Sequence, residues 1–307
     1  MTQPRYSVAL CTHNHADRLE WTLAELASIR LPQAPIEFLV IDNGCRDDTP
    51  RLLAAHRWPP GFNARIVRED KLGLSNARNR AIAEAQGEYI IFMDDDETAD
   101  PDWLCAFERL IDAHAPDAFG GRIKVLFEDS RPPWLSDELL GFLGELNRSD
   151  SIVPLTSPDT SFYGGNFGFR KTVCEKVGGF DSMLGRKGGD NTGGEEVDFY
   201  RRLLAAGFGV WWTPDAVIHH RIQAVKLNRG YFLDLHYKQG RVDGTRSRRT
   251  ESRWPPIYIY GQLWRAFSVA VRQALSQGRD TSLRKEMNVA YFIGTLSGWI
   301  RPRDAGR

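Results

Sequence analysis

A short apolar segment that runs into four consecutive acids constrains this chain more than any other feature. Residues 89–93 (YIIFM) are apolar, and residues 94–97 (DDDE), here called the acidic cluster, follow at once. An apolar run of this length is typical of a buried strand in a parallel sheet. Adjacent carboxylates repel one another unless positive charge lies among them, and a divalent cation bridging to phosphate would supply it. The alternative is a solvated acidic loop that caps the next helix.

Strands and helices alternate through the first hundred residues. Apolar segments predict strands at 6–11, 36–41, 65–68 and 89–93, and helices at 18–29, 49–56 and 75–85. This alternation indicates βαβ units and a doubly wound, mostly parallel sheet. Ligands of such sheets bind beyond the carboxyl ends of the strands.

Polar residues stand at three of these strand ends, at 11–12, 42–43 and 94–96. Because the strands are predicted to be parallel, all three ends should lie at one edge of the sheet. Three polar strand ends facing one crevice favour a ligand site over a solvated loop.

The pattern is less regular after the acidic cluster. We predict a helix at 102–113, a strand at 119–127 and a long irregular insertion at 131–161. A Gly-rich turn and a strand follow within 163–170, and a helix near 171–177. Further on we predict a flexible segment at 188–194, a helix at 195–206 and a strand at 210–212, and mainly helical chain from 227 onward.

Charge is distributed unevenly along the 307 residues, although the formal net charge is zero. From residue 221 to the end there are roughly 17 Lys and Arg against 6 Asp and Glu, which leaves the earlier part acidic. A basic region of this kind suits phosphates, an anionic lipid surface or the protein's own acidic body. We expect no nucleic-acid partner.

The cysteines and the N-terminus predict a cytoplasmic protein. The four cysteines are far apart and form no Cys-x-x-Cys pair, which indicates reduced thiols and neither a disulfide framework nor a zinc site. The first five residues lead directly into a strand and leave no room for a signal peptide. No apolar stretch is long enough for a spanning helix. The inner face of the cell membrane is the alternative location.

Five motifs occur in an order that resembles glycosyltransferase family 2, the inverting nucleotide-sugar enzymes of GT-A fold. The motifs are VALCTHN at 8–14, VIDNGCRDDT at 40–49, GLSNARN at 73–79, FMDDD at 92–96 and GEEVD at 194–198. The last is followed by Arg201 and Arg202. The resemblance covers about residues 5–225. It implies an α/β fold of GT-A (Rossmann-like) type, with a catalytic domain at 1–225 and a basic helical extension at 226–307 that contacts acceptor or membrane.

The resemblance implies a nucleoside-diphosphate sugar donor and a divalent cation, Mn²⁺ or Mg²⁺. We expect Asp96 to bind the metal, and Asp94 to reach the ribose hydroxyls or the metal. Asp42 would accept from the base edge, and Arg78 would approach the base or pyrophosphate, unless it is a plain helix-surface arginine. The full set of predicted nucleotide-binding residues is Cys11, Thr12, Asn14, Asp42, Asn43, Gly73, Arg78, Asp94 and Asp95.

A transferase of this kind needs a general base for the acceptor hydroxyl. The resemblance implies Glu196 for this role, with Glu195 as second choice. The family usually has Asp at that position, so Glu196 is a departure. The alternative is that both glutamates only add negative charge to the first turn of a helix.

The remaining site predictions concern the metal and the sugars. The resemblance implies a histidine ligand, for which we prefer His220 over its neighbour His219. Gly164 and Gly165 let backbone approach a sugar closely, and with Asn166 and Trp103 they form the predicted sugar and acceptor contacts.

The sequence thus predicts a metal-dependent inverting glycosyltransferase. The donor would be a UDP-sugar, and the acceptor a hydroxyl of a glycan or polyprenyl-linked molecule in surface polysaccharide synthesis. The alternatives are a nucleotidyltransferase and a non-catalytic nucleotide-sugar binding module. A helix carrying Ile259, Leu263, Phe267 and Val271 on one face either packs on the catalytic domain or lies on an anionic membrane surface. The oligomeric state is left open.

Overall fold

A computed structural model describes residues 3–184, 194–250, 254–278 and 281–300, with backbone only at 249 and 250. Of the predicted flexible segment 188–194, all but the last residue lie outside the described part. The chain divides into two compact units. One comprises Met1–Leu126 and Gly144–Arg221, and the other comprises Phe127–Leu143 and Ile222–Arg307. The sequence analysis had placed a single boundary at 225–226.

Nine strands of the described chain form one sheet. They are β1 (Tyr6–Thr12), β2 (Ile36–Asp42), β3 (Ala64–Arg68), β4 (Tyr89–Asp94), β5 (Glu97–Ala99), β6 (Ala118–Phe127), β7 (Val153–Pro154), β8 (Phe167–Arg170) and β9 (Val210–Ile222). Their order is β3-β2-β1-β4-β8-β6-β9-β5, and β7 pairs with β9.

The described helices alternate with the first strands and then dominate the C-terminal part. They are α1 (Ala16–Glu25), α2 (Thr49–Ala55), α3 (Leu74–Glu84), α4 (Trp103–His114), α5 (Val173–Val177), α6 (Glu195–Ala205), α7 (Arg229–Thr250), α8 (Ile257–Gln277) and α9 (Leu283–Ile300). Short 3₁₀ turns lie at Leu26–Ser28, Asp137–Leu143 and Ala224–Lys226.

The predicted α/β class and the parallel core of the sheet are confirmed. Strands β1 to β4 pair in parallel, and β1, β2 and the apolar part of β4 are buried along their whole length. That burial explains why their sequences read as continuous apolar runs without alternation. Beyond β4, the strands β8 and β6 pair antiparallel, which makes the sheet mixed.

Two local features differ from the sequence prediction. Helix α1 begins at Ala16, two residues before the predicted start at 18, so Asp17 lies inside its first turn. The last acid of the acidic cluster, Glu97, opens the short strand β5, which pairs antiparallel with the end of β9. No apolar run marks β5, because its three residues are held by pairing with a strand more than a hundred residues away.

In the second unit, here called the helical unit, α7 and α9 pack with their backbones in close approach. A Cβ atom on Gly244 would lie 2.0 Å from the carbonyl oxygen of Thr295, and one on Gly294 would lie 2.1 Å from that of Tyr237. Gly240 and Gly298 are equally tight, at 2.0 and 2.1 Å from backbone oxygens. Each helix therefore carries a Gly-x-x-x-Gly pair that leaves room only for a hydrogen atom. No helix in the described ranges is both long and apolar enough to cross a membrane.

Candidate active site

The register of the sheet brings the predicted polar strand ends together. Thr12 at the end of β1 pairs with Asp42 at the end of β2, and Cys11 pairs with Asp94 at the end of β4. The three polar ends thus lie side by side at the carboxyl edge of the parallel strands. This is the crevice in which open α/β sheets bind ligands.

Asp42 and Asn43 lie at the edge of this crevice and are held there by hydrogen bonds. Asp42 is buried, and its two oxygens accept from the Cys45 N–H at 2.8 Å and from Arg68 Nη1 at 3.0 Å. Asn43 Nδ2 donates to the Lys71 carbonyl, and its Oδ1 accepts from the Gly73 N–H at 2.9 Å. These bonds make Asn43 a brace for the loop before α3. Its predicted contact with the nucleotide would have to replace them.

The turn after β1 is shaped by Asn14, whose φ of 53° lies in the left-handed region that asparagine tolerates. Its Oδ1 accepts from the Arg46 N–H at 2.7 Å, which ties this turn to the one after β2. Thr12 Oγ1 is buried and has no hydrogen-bond partner among the described residues. Burial raises the pKa of Cys11 to about 12, so its thiol stays neutral.

The first three members of the acidic cluster each face a different basic side chain. Asp94 Oδ1 lies 3.4 Å from Arg78 Nη2, and Asp95 Oδ2 lies 3.0 Å from His15 Nδ1. Asp96 Oδ2 lies 3.7 Å from Arg18 Nη1. Mutual repulsion is therefore relieved by arginines on α3 and α1 and by a histidine at the start of α1. The hydrogen bond from His15 to Asp95 raises the pKa of that histidine.

The fourth acid, Glu97, points inward and is 2% exposed. Its Oε2 accepts from the Asp94 N–H at 2.8 Å, and its Oε1 accepts from the Gly165 N–H at 3.3 Å. Burial is the main cause that raises the pKa of Glu97 well above its ordinary value, and the negative charge of Asp94 is the second. A Cβ atom on Gly165 would lie 2.0 Å from Glu97 Oε2, and Gly164 has a φ of 70°. The two glycines let this turn press against the end of β4.

Arg78 joins the two halves of the site. It lies on α3, is 1% exposed, and its Nη1 lies 2.9 Å from Glu196 Oε1 and 3.1 Å from Glu195 Oε1. Its other amino group faces Asp94. The guanidinium also lies over three aromatic rings with centroid distances of 5.5 to 5.8 Å, and these belong to Phe92, Phe167 and Phe180.

The charges of this cluster depend on one another. Burial opposes the charged form of Arg78, but Glu196, Asp94 and Glu195 outweigh it and raise the pKa of that guanidinium. Burial, and then the neighbouring charge of Glu196, raise the pKa of Glu195. Glu195 Oε2 is buried and has no hydrogen-bond partner among the described residues. Arg78 is thus not a surface arginine. To contact a nucleobase it would have to leave these carboxylates.

The two glutamates differ in access. Both lie in the first turn of α6, but the Glu196 side chain is 12% exposed and that of Glu195 is 2% exposed. An acceptor can therefore meet Glu196 more easily than Glu195. This difference bears on the choice of base, which the sequence left open between them.

The structure separates the two histidines. His220 Nε2 lies 3.5 Å from Asp96 Oδ2, whereas His219 Nε2 lies 2.8 Å from Asp100 Oδ1. Among the described residues, no three His, Cys, Asp or Glu side chains are grouped closely enough to hold a metal ion alone. Asp96 and His220 would supply two protein ligands to a cation that takes the rest from phosphate and water.

Trp103 and Asn166 lie in the interior of the protein. Both are 0% exposed, and Trp103 Nε1 donates to Asn166 Oδ1 at 2.8 Å. Asn166 Nδ2 donates to the carbonyls of Arg122 and Ala216. Their hydrogen bonds join α4 and the turn before β8 to β6 and β9, so this burial does not favour the predicted sugar contacts.

Sequence reasoning did not pair His15 or Arg18 with the acidic cluster. About 80 residues separate these groups along the chain, and no local pattern links them. The one available signal was their position after β1, beside the strand ends that the parallel sheet brings together.

Comparison with known proteins identifies the family. The family model described as "Glycosyl transferase family 2" matches residues 7–178, more than half of the chain. The chain belongs to glycosyl transferase family 2. This confirms the resemblance drawn from the five motifs, and membership of the family makes the protein a glycosyltransferase.

Curated relatives of this family 2 chain act in different systems. The succinoglycan biosynthesis protein ExoM of Rhizobium meliloti is 23% identical over 241 residues, covering 77% of this chain and 73% of the relative. A glucosyl-dolichyl phosphate glucuronosyltransferase of Haloferax volcanii is 26% identical over 246 residues, covering 77% and 75%.

Solved structures show the same GT-A fold for this family 2 chain. The mannosyltransferase PcManGT from Pyrobaculum calidifontis, in complex with GDP-Man and Mn²⁺, aligns with a TM-score of 0.63 at 16% identity, covering 99% of this chain and 89% of that one. S. aureus TarS in complex with UDP-GlcNAc aligns with a TM-score of 0.55 at 15% identity, covering 93% and 90%.

Proposed function

We propose that this glycosyltransferase moves a sugar from a UDP-sugar to a hydroxyl of a glycan or polyprenyl-linked acceptor, with inversion and with a divalent cation. The observation that carries the proposal is the arrangement around Arg78. One guanidinium joins Glu196, the more exposed of the two glutamates on α6, to the strand-end carboxylate Asp94. A base and a donor-binding acid are thereby held at fixed positions in one crevice.

Donor binding is assigned to the strand-end edge. Asp96 and His220 would hold Mn²⁺ or Mg²⁺, which supplies positive charge that stabilises the diphosphate as it leaves. Asp94 would reach the ribose hydroxyls, and its Oδ1 lies within reach of Arg78. Thr12 is proposed to contact the sugar nucleotide, because its buried hydroxyl has no protein partner among the described residues. The other proposed contacts of the sugar nucleotide are Cys11, Asn14, Asp42 and Asp95.

Acceptor activation is assigned to Glu196. Its carboxylate takes the hydroxyl proton as the acceptor oxygen bonds to the anomeric carbon and the bond from that carbon to the diphosphate oxygen breaks. UDP leaves with the bonding electron pair, and Glu196 returns the proton to solvent. Arg78 holds the carboxylate in place, and its positive charge 2.9 Å away favours the charged form of that carboxylate.

Acceptor and location are proposed more broadly. Gly164 and Gly165 border the crevice beside β4 and offer backbone to the sugar. The relatives named in succinoglycan synthesis and in transfer to a glucosyl-dolichyl phosphate support a lipid-linked or glycan acceptor in surface polysaccharide synthesis. Such an acceptor would place the enzyme in the cytoplasm at the inner face of the membrane.

The test is release of nucleoside diphosphate from UDP-, GDP- and CDP-sugars with Mn²⁺. We expect a UDP-sugar to turn over, and Glu196→Gln to lower kcat by roughly 10²- to 10⁴-fold. The matched control is Glu175→Gln, which removes an exposed acid from the first turn of α5. If the two variants behave alike, Glu196 is only a first-turn charge.

Other outcomes separate the rival functions. Pyrophosphate release from a nucleoside triphosphate and a sugar phosphate would instead make the protein a nucleotidyltransferase. Donor binding without turnover of any nucleotide sugar would make it a binding module. Preference for a GDP-sugar would overturn the UDP assignment alone.

A further inference from the structure

Helix α8 in the helical unit has two apolar faces. The inner face packs against α9, and Ile259 and Ala270 on it are 4% and 5% exposed. The sequence analysis had placed Ile259 and Phe267 on one face. The structure separates them, because Phe267 is 49% exposed.

The second face of α8, here called the outer stripe, is exposed along the whole helix. At about 100° per residue, its six large side chains fall within an arc of about 80°. They are Ile257, Tyr260, Trp264, Phe267, Val271 and Leu275. The two ends are the most open, with Ile257 at 87% and Leu275 at 83% exposed, and Trp264 between them is 70% exposed. A continuous exposed apolar patch that runs along a whole helix marks an interaction surface.

Positive charge borders the outer stripe. Arg265 and Arg272 are exposed along one side of it, and neither forms an ion pair with any residue in the described ranges. Beside Arg265, α8 and α9 enclose a groove of about 250 Å³. Its lining is mostly apolar, including Val269 and Phe292, and it adds a second cation, Lys285. Apolar surface next to unpaired cations matches the chemistry of an anionic amphiphile.

From these observations we infer that the outer stripe of α8 docks on the surface of an anionic phospholipid bilayer, with the helix lying in the plane of the interface. Trp264 and Tyr260 would sit at headgroup depth, the aliphatic side chains would enter the acyl boundary, and the arginines would contact lipid phosphates. The inference rests on the proposed function in one respect, because a lipid-linked acceptor gives such a surface its use.

Charge favours a bilayer over a second copy of the chain. Helix α8 contains no Asp or Glu, so a symmetric pair of outer stripes would bring arginines together without acidic partners. Anionic headgroups provide the missing negative charge. Each arginine near the surface contributes about 1 kcal/mol of binding free energy, which is roughly a fivefold gain in affinity.

The test is co-sedimentation of the full chain with vesicles of phosphatidylcholine, either alone or with about 30 mol% phosphatidylglycerol, whose negative charge attracts basic segments. We expect binding to the anionic vesicles and at least about tenfold weaker binding to the neutral ones. Trp264→Ser with Phe267→Ser should lower binding to both vesicles at least about tenfold. Arg265→Gln with Arg272→Gln should lower only the binding to anionic vesicles.

Matched controls come from the first unit, which comprises Met1–Leu126 and Gly144–Arg221. Ile66→Ser with Ile152→Ser removes apolar side chains that are 46% and 40% exposed, and Arg51→Gln with Arg109→Gln removes two exposed charges. Both controls should bind as the parent does. No parent binding, or equal losses in control and stripe variants, overturns the inference. A concentration-dependent dimer that the stripe variant abolishes, without vesicle binding, would assign the stripe to a second copy.

The sedimentation experiment and the donor-turnover assay test the two proposals independently. If vesicle binding is absent while UDP is still released, only the membrane surface is refuted. If vesicle binding follows the stripe while no nucleotide sugar is turned over, the proposed function is refuted and the surface stands. Donor hydrolysis by the stripe variants should equal that of the parent, because the outer stripe belongs to α8 and not to the crevice.

Discussion

Arg78 Nη1 lies 2.9 Å from Glu196 Oε1, although 118 residues separate the two along the chain. Both side chains are nearly removed from water, and the same guanidinium also faces Glu195 and Asp94. Removing one partner from a buried ion pair leaves uncompensated charge, which costs far more than losing a surface pair.

Arg78→Met should therefore lower the free energy of unfolding by about 3–5 kcal/mol, since three carboxylates lose their cation. The matched variant is Arg80→Met, which removes a 40% exposed arginine that pairs with Glu84 on the same helix. It should cost no more than about 0.5 kcal/mol. Urea denaturation monitored by tryptophan fluorescence checks both. Equal losses would contradict the central role of Arg78.

Arg78→Lys separates charge from geometry. A lysine keeps the positive charge, but its single ammonium cannot contact Glu196 and Asp94 through two separate amino groups. We expect less destabilisation than in Arg78→Met, together with a fall in kcat of roughly tenfold or more for UDP release because Glu196 is no longer held. Full activity in the lysine variant would show that charge alone is sufficient.

Metal dependence should distinguish the two adjacent histidines. His220→Gln should raise the Mn²⁺ concentration for half-maximal activity by about tenfold or more, because His220 faces Asp96. His219→Gln is the control, since that ring pairs with Asp100, and it should leave the Mn²⁺ requirement nearly unchanged. A larger shift in the His219 variant would reverse the assignment.

The stability contributed by His15 should depend on pH. Its hydrogen bond to Asp95 raises the pKa of His15 above 6.5, so the folded protein holds this proton more tightly than the unfolded chain does. The stabilisation is complete below that ordinary value and is lost as pH rises through the folded value. The melting temperature of His15→Gln should therefore fall further below that of the parent at pH 6 than at pH 8.5.

His56 provides a control of opposite sign. Burial lowers the pKa of His56, so its contribution to stability is present above about 6.5 and is lost as pH falls. In His56→Gln the difference from the parent should therefore become less unfavourable toward acid. Titration of the imidazole resonances by NMR gives both pKa values directly. A His15 value at or below 6.5 would contradict the pairing with Asp95.

The glycines between α7 and α9 give a stability test in the helical unit. A Cβ atom in Gly294→Ala would lie 2.1 Å from a backbone oxygen, and we expect a net loss of about 1–3 kcal/mol through overpacking. Gly261→Ala is the control, because that exposed glycine of α8 has nothing within 4 Å of its Cβ position. It should gain up to about 1 kcal/mol from helix propensity. Calorimetry of both variants would decide.

The strand-end edge was predictable from sequence because apolar runs and their polar endings are local signals. Residues 89–93 and the acidic cluster mark the end of β4 without help from the rest of the chain. The partners of those acids were not predictable, since Arg78, His15 and Arg18 approach only through the sheet order and the packing of α1 and α3. Asn166 and Trp103 show the converse, because a residue next to a Gly-rich turn or in a helix start can equally well point into the core.

The paired glycines of α7 and α9 also limit how this part of the chain can change in length. Deleting or inserting one residue within either Gly-x-x-x-Gly segment would rotate the following glycine by about 100° and present a side chain to the opposing carbonyl. Only a shift of about one full turn would restore a small residue near that place. We therefore expect homologous chains to accept insertions between these helices far more readily than inside them, which makes the glycine spacing a guide for aligning divergent C-terminal regions.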